Sequence, residues 1–201
     1  MRRGSSTLVF AISLAACQTV CAQNPPQPLS VSAKWRNFIQ ETASPLTLGA
    51  VVFNGGAAHI TNSDPRYGSD SRAFASQFGA SMADIASQNF FGDFLIASAF
   101  HEDPRYFREG PAHGFWSRAA YAMSRAFLIR TDAGRESFNW SNVLGTAMSA
   151  GLSNVYYPPA SRSGRVTAIH FGLSTAGTGF AKLVPEFWPD FRDTFFKRHK
   201  S

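Results

Sequence analysis

The chain has few cysteines, few charges and no long apolar run, and each scarcity excludes a class of protein. Its only cysteines are Cys17 and Cys21, so a scaffold of several disulfides is excluded. No run of 18 consecutive apolar residues exists, the length typical of a helix that spans a membrane. The charged fraction is only 16%, while 14% of the residues are aromatic, so disorder over most of the length is excluded as well.

Basic charge is dispersed along the chain rather than concentrated. The formal net charge is +6, and arginine outnumbers lysine by fifteen to four. Proteins that bind nucleic acid usually gather such charge into a stripe that neutralises successive phosphates. Because no such block exists here, we expect no nucleic-acid partner. Arginines spaced in this way typically pair with carboxylates or carbonyls between helices.

The N-terminus is typical of a bacterial export signal. Arg2 and Arg3 precede an apolar stretch at 7–16, which fits a signal peptide and is too short for a membrane span. Two processing sites compete: signal peptidase cleavage after Ala22, and a lipobox in which Cys17 becomes the lipidated N-terminus. We favour cleavage after Ala22, which leaves no cysteine in the mature protein. Either route predicts an exported protein that is periplasmic or associated with the outer membrane.

Helical spacing dominates the remainder of the chain. After a signal peptide at 1–22 and a proline-rich linker at 23–30, the periodicity predicts a single helical domain over 31–201. Proline-rich and glycine-rich breaks divide it into a compact all-α bundle of six or seven helices. Only 51–53 and 166–169 are rich enough in β-branched residues to suggest strands. The predicted helices include 32–42, 72–100, 116–129, 141–155, 165–183 and 185–199.

Small residues recur four positions apart, a spacing that predicts close contacts between helices. Burial in or on a membrane would use the same residues, but the mean hydropathy of −0.13 favours a soluble bundle. We expect a core of larger side chains, namely Trp35, Phe78, Phe94, Phe127, Leu144 and Phe171. The small residues at this spacing are Ala75, Gly79 and Ala83, Ala122 with Ala126, Ala147 with Gly151, and Gly172 with Ala176.

One polar cluster, at His101, Glu102 and Asp103, suits acid–base chemistry or a metal ion. A metal needs three or four converging ligands, whereas adjacent side chains cannot all point inward, and no HExxH motif is present. The alternative is an ordinary charged junction between a helix and a loop. The cluster is a catalytic candidate, with His113 as a further member, and we predict neither a metal site nor a cofactor.

A second candidate site lies where an apolar helix meets two prolines. Tyr156 and Tyr157, with nearby Arg162, suit the binding of a small ligand by ring stacking and hydrogen bonds. The alternative is that the tyrosines only cap the core at the helix end. Nucleophile elbows, phosphate-binding loops and paired-cysteine motifs are missing from the sequence. We expect Asn139 or Ser141 to cap a helix.

The C-terminal segment 186–201 interleaves aromatic and basic residues. Its aromatic side chains fall near one side of a helix with a basic end, a pattern typical of a helix that lies on a membrane surface. A helix that closes the bundle gives the same pattern, with its cations next to the helix C-terminus. The sequence favours a helix that completes the bundle, and a helix that lies on a membrane surface is the alternative.

The segments DPRYFR at 103–108, SNVYYP at 153–158 and EFWPDF at 186–191, together with the export signal, resemble an uncharacterised group of exported bacterial proteins. The resemblance implies export, and it implies no catalytic residue and no substrate. From the signal and the missing motifs we expect a cell-envelope protein that is not an enzyme and acts through its helix surfaces. Two alternatives stay open: a metal-dependent or acid–base hydrolase that uses residues 101–103, and a carrier of a small ligand.

Overall fold

A computed structural model describes residues 27–68 and 70–197, with side chains up to residue 194. The predicted signal peptide and Cys17 lie outside these residues. The described chain is mostly helical and compact, which confirms the predicted all-α bundle. Its helices are α1 (Val31–Thr42), α2 (Pro45–Thr61), α3 (Ser71–Asn89), α4 (Phe115–Ser124), α5 (Trp140–Tyr156), α6 (Gly164–Ala181) and α7 (Leu183–Lys197).

Short polar side chains begin most of these helices. Ser30, Ser44, Asp70, Asn139 and Ser163 each accept a hydrogen bond from the backbone N–H three residues further on. Such caps satisfy donors that the first helical turn leaves without an intrahelical partner. The cap predicted for α5 is therefore confirmed at Asn139.

Directly after α3 the chain stays helical but changes its winding. Residues Phe90–Ile96 form a π-helical segment, which a single α-helical turn, Ala97–Ala99, follows. The predicted helix over 72–100 has the correct extent, but its periodicity does not reveal the π winding. α1 packs on this segment through the Trp35 and Phe94 rings, whose centroids are 4.9 Å apart.

A small antiparallel sheet replaces part of a predicted helix. The helix expected over 116–129 ends at Ser124, and the chain then enters β2 (Leu128–Thr131). β2 pairs with β1 (Glu102–Asp103) and with β3 (Glu136–Phe138). Gly134, with φ +77°, forms the turn of the β2–β3 hairpin, a conformation that glycine adopts without strain. The two β-branched runs, 51–53 and 166–169, form no strands, because they lie inside α2 and α6, and the predicted helix over 165–183 is confirmed as α6.

The closest helix contacts depend on glycine. α5 packs on α3, on the π-helical segment and on α6, and α6 packs on α4 and α7. A Cβ on Gly145 would lie 2.5 Å from the Cα of Gly92, and one on Gly179 would lie 2.9 Å from the carbonyl oxygen of Met123. Both separations are too short for a side chain, so these backbones can approach only where glycine stands.

The predicted small-residue pairs are only partly used within the chain. Ala122 and Ala126 are buried where α4 meets α6. Gly79, Gly151 and Gly172, in contrast, face open space, because a Cβ on any of them would meet nothing within 4 Å. The spacing therefore identifies faces of small residues without distinguishing those that pack inside the bundle from those on its surface.

The predicted core of large side chains is wrong. Trp35, Phe78 and Phe127 are 43%, 38% and 52% exposed, and the other three expected core residues are only partly buried. The buried apolar residues of the described chain are mostly alanines, accompanied by Phe38, Val51 and Tyr157. Helices in such close contact leave little space between them for large rings. Among the described residues, no helix combines the length and the hydropathy that crossing a bilayer requires.

Candidate functional site

Glu102, from the predicted cluster at 101–103, is buried at the start of α5. Its carboxylate accepts hydrogen bonds from the backbone N–H groups of Trp140 and Ser141, at 3.2 and 2.8 Å. The positive end of the helix dipole stabilises a negative charge in this position. Glu102 therefore joins β1 to α5, and both of its oxygens have structural partners.

Asp103 and His101 have partners of their own. Asp103 is buried against Arg105, whose Nε lies 2.9 Å from Oδ1. The His101 side chain is 84% exposed, with Nδ1 4.0 Å from Oδ2 of Asp132. His113 lies in the exposed loop before α4 and shares no side-chain contact with this cluster in the described chain. The predicted catalytic residues thus do not converge, and residues 27–68 and 70–197 contain no group of three ligand-type side chains that could hold a metal.

Glu186 on α7, which the sequence places in the aromatic tail, is fully buried. It accepts hydrogen bonds from Arg118 Nε at 2.7 Å, from the Tyr106 hydroxyl at 2.8 Å and from the backbone N–H groups of Glu109 and Gly110 at 3.1 Å. Burial alone would raise the pKa of Glu186, but these donors lower it below the ordinary value. The network fixes α4 and the preceding loop on α7.

Asp84, in the middle of α3, is a further, largely buried carboxylate, and its side-chain hydrogen-bond donors are two tyrosine hydroxyls. The hydroxyl of Tyr156 donates to Oδ1 at 2.6 Å, and that of Tyr157 donates to Oδ2 at 2.7 Å. His170 on α6 places Nε2 at 3.9 Å from Oδ2, and its ring stacks on Tyr157 with the centroids 5.7 Å apart. This cluster joins α3, α5 and α6.

The charge of Asp84 is only partly compensated. Burial raises the pKa of Asp84 above its ordinary value, although the nearby His170 and the two tyrosine hydroxyls reduce that increase. Burial, together with the carboxylate, also raises the pKa values of Tyr156 and Tyr157. The tyrosines therefore remain protonated donors, whereas Asp84 binds a proton more readily than an exposed aspartate does.

A cavity of about 100 Å³ lies beside this cluster. Its lining includes the polar side chains of Tyr157, His170 and Asp64 and the apolar side chains of Ile169 and Leu173. Since a water molecule takes about 30 Å³ in the liquid, the cavity accommodates a few waters but no large ligand. The Asp84 cluster can thus hold or accept a proton and has little room for a substrate.

Arg162, the third residue of the predicted ligand site, lines a larger groove between α5 and α6. This groove has a volume of about 500 Å³ and opens to solvent. The guanidinium donates from Nε to the carbonyl of Tyr157 at 2.5 Å and from Nη2 to that of Val155 at 3.3 Å. The structure therefore brings Tyr156 and Tyr157 together at Asp84, while Arg162 belongs to a different site.

Sequence reasoning misses Asp84 and His170 as partners of the tyrosines. Asp84 is 72 residues from Tyr156 along the chain, so no spacing rule connects the two. A local signal does exist, because Asp84 is a charged residue in the middle of a helix made largely of small and apolar residues. A buried charge requires partners, which makes such a position worth following.

Comparison with known proteins assigns no function to these residues. No protein-family model matches the chain, and no curated protein or solved structure matches it.

Proposed function

We propose that this chain is an exported cell-envelope protein that acts without catalysis, by contacting a membrane surface through its outer helix faces. The export signal in the sequence supports the location. Two exposed tryptophans carry the proposal of membrane contact: Trp116 is 82% exposed and Trp188 is 54% exposed. Tryptophan is costly to leave in water and is enriched where a protein meets the lipid head groups.

The outer face of α5 supports the same proposal. Met148 and Leu152 are each 40% exposed and Val155 is 72% exposed, while Ser149 and Ser153 on the same helix are buried. A helix that packs in water normally turns its apolar face inward and its hydroxyls outward. The reversed arrangement suits a protein whose surroundings are partly apolar.

α7 and α4 together provide the surface that we assign to the membrane. Val184, Trp188 and Phe191 follow one another at i, i+4 and i+7 on α7 and are between 40% and 54% exposed. Phe115 and Trp116 continue this aromatic surface on α4 and are 59% and 82% exposed. We name these five residues the aromatic face. The Phe115 ring lies 5.0 Å from that of Phe187, so the two helices present the face as one unit.

The polar clusters support a role without catalysis. Glu186 and Asp190 are engaged by Arg118, and Glu102 is engaged by the start of α5. Asp84 is engaged by two tyrosines beside a cavity too small for a large ligand. All of these groups stabilise contacts between helices. The exposed apolar surface, in contrast, has no such role within the described chain.

The test uses the tryptophans themselves as reporters. We would prepare the chain from Gln23 onward as three single-tryptophan variants that retain Trp116, Trp188 or Trp35, with phenylalanine at the other tryptophan positions. Vesicles of phosphatidylcholine and phosphatidylglycerol, with or without brominated acyl chains, are then added. We expect a blue shift and bromine quenching for Trp116 and Trp188, because they lie on the aromatic face.

Trp35 is the matched control. It lies on α1, which packs on α2, α3 and the π-helical segment rather than on α4 or α7. Its emission should change least. A second variant, Trp188→Gln with Phe191→Gln, should reduce vesicle binding at least tenfold while leaving the far-ultraviolet circular dichroism unchanged. The proposal fails if no reporter responds to vesicles, or if Trp35 is quenched as strongly as Trp188.

A further inference from the structure

We propose that the groove between α5 and α6 binds a single-chain amphiphile with an acidic head group, such as a long-chain fatty acid. The inference rests on the shape and charge of the groove and does not depend on the aromatic face. Its volume of about 500 Å³ lies within the range of small-molecule sites.

The polar and apolar residues of the groove separate along its length. α5 and α6 run in opposite directions beside it, so the end of α5 meets the beginning of α6. Asn154 and Thr167 join the helices at that end, with Nδ2 3.0 Å from Oγ1, and Arg162 lines the same end. Ala147 and Phe171 line the other end. A ligand with one polar end and one apolar end matches this order.

Alanines make the space for an extended chain. Ala147, Ala150 and Ala168 line the groove, and Gly164 stands at its polar end. Since their side chains are short, the packed helices α5 and α6 leave a groove along their outer junction that is open to solvent. A flexible alkyl chain can lie in this groove and remove apolar surface from water, at about 0.8 kcal/mol for each buried CH₂ group.

The charge of the two helices selects an acid. Residues 137–185 contain no aspartate or glutamate, while Arg162, Arg165 and Lys182 fall within them. Arg162 forms no ion pair with a carboxylate among the described residues, in contrast to Arg105, Arg108, Arg118 and Arg125. Two backbone carbonyls hold its guanidinium in place, and its other N–H groups remain as donors for a carboxylate or a phosphate.

The binding experiment compares head groups on one chain length. Palmitate, palmitoyl-lysophosphatidylglycerol and hexadecanol are titrated into the mature chain below their aggregation concentrations, and displacement of a fluorescent fatty-acid analogue is measured. We expect one site that binds both acids at least tenfold more tightly than the alcohol. The tighter of the two acids identifies a carboxylate or a phosphodiester as the natural head group.

Variants locate the site. Ala168→Leu fills the groove and should remove binding, whereas Ala176→Leu, also on an exposed position of α6 but outside the groove, should leave it unchanged. Arg162→Gln should weaken palmitate binding about tenfold, which is the loss expected for one charge-assisted hydrogen bond. Arg165→Gln removes the same charge outside the groove lining and should have a much smaller effect.

Two outcomes would overturn the proposal. One is equal binding of hexadecanol and palmitate, and the other is unchanged palmitate binding in a folded Ala168→Leu protein. Because Arg162 also bonds to two carbonyls, Arg162→Lys accompanies Arg162→Gln as a variant that keeps the charge. Palmitate binding that is no better in Arg162→Lys than in Arg162→Gln, with both proteins folded, would show that the charge does not select the ligand.

Discussion

Glu186 and Asp84 are both carboxylates in the interior with several hydrogen-bond donors, yet the pKa of Glu186 is lowered and that of Asp84 is raised. Burial acts in the same direction on both. The donors differ: Glu186 accepts from the guanidinium of Arg118, a tyrosine hydroxyl and two backbone N–H groups. Asp84 accepts from two tyrosine hydroxyls, and its nearest cationic candidate is His170 at 3.9 Å.

The difference shows that neutral hydrogen-bond donors and a cation have different effects on the pKa of a buried carboxylate. Neutral donors satisfy the lone pairs and offset part of the desolvation cost, whereas a guanidinium also compensates the charge. The Glu186 region is accordingly a fixed clamp between α4 and α7. Asp84 has no guanidinium beside it, so it takes up a proton more readily than Glu186 does.

The largest expected effect is on the clamp. Glu186→Gln leaves the buried Arg118 with only the partly exposed Asp190 as a counter-charge, so the free energy of unfolding at pH 7 should fall by about 3–5 kcal/mol. Urea denaturation followed by circular dichroism measures this loss. Because the pKa of Glu186 is lower in the folded than in the unfolded protein, its contribution is present above the ordinary value of 4.5 and disappears as the pH falls through the folded value. The gap between parent and variant should therefore narrow in acid.

Asp190→Asn is the matched control for that loss. Asp190 also pairs with Arg118, but its side chain is 34% exposed, against 0% for Glu186. We expect a loss of about 1 kcal/mol, because water compensates part of the missing charge. Equal losses in the two variants would contradict the idea that burial makes Glu186 the centre of the clamp.

A smaller effect is expected at Asp84. Tyr157→Phe removes the hydroxyl that donates to Oδ2 and should cost about 1–3 kcal/mol of stability. That hydrogen bond lowers the pKa of Asp84, so its removal should raise this pKa further. Carbon-13 NMR titration of the Asp84 carboxyl group measures the shift. Tyr156→Phe provides the comparison at Oδ1, and a pKa that stayed constant in both variants would show that the tyrosines do not determine it.

The helices could be predicted from the sequence because their signals are local. Periodic spacing, Asn139 as a cap and proline-rich breaks locate α5 within a residue or two of its observed bounds, Trp140–Tyr156. The sheet and the π-helical segment could not be predicted in this way. β1 pairs with a strand more than twenty positions further along the chain, and the π winding leaves the extent of the helix unchanged.

The sequence could not predict which helix faces are buried and which are exposed. Periodicity shows that a helix has an apolar face but not whether that face points into the bundle or to its surface. α5 has a clear apolar face, and the usual rule assigns that face to the core. The observed α5 buries Ser149 and Ser153 and exposes Leu152 and Val155. Of the Asp84 cluster, the sequence indicates only Tyr156 and Tyr157, because both flank a proline break. Their partners on α3 and α6 depend on tertiary packing.

Asp93, in the π-helical segment, extends the comparison to a carboxylate with no side-chain hydrogen bond in the described part of the chain. Burial raises the pKa of Asp93 to about 6, against an ordinary value of 3.8, with Lys182 lowering it and Glu41 raising it. The folded protein therefore binds this proton more tightly than the unfolded chain does. Stability due to Asp93 is complete below pH 4 and is lost as the pH rises through about 6.

Asp93→Asn should remove the loss of stability that accompanies ionisation of Asp93, so the variant should be more stable than the parent at pH 7.5. We expect a gain on the order of 2 kcal/mol at pH 7.5 and little difference at pH 4, where the parent carboxyl is already protonated in the folded state. The unfolding midpoint measured across this pH range tests the expectation. Asp70→Asn is the control, since asparagine caps a helix as well as aspartate does and should leave the stability at pH 7.5 unchanged. A destabilised Asp93→Asn protein at pH 7.5 would mean that the ionised carboxylate is favoured here, which would place Asp93 with Glu186 rather than with Asp84.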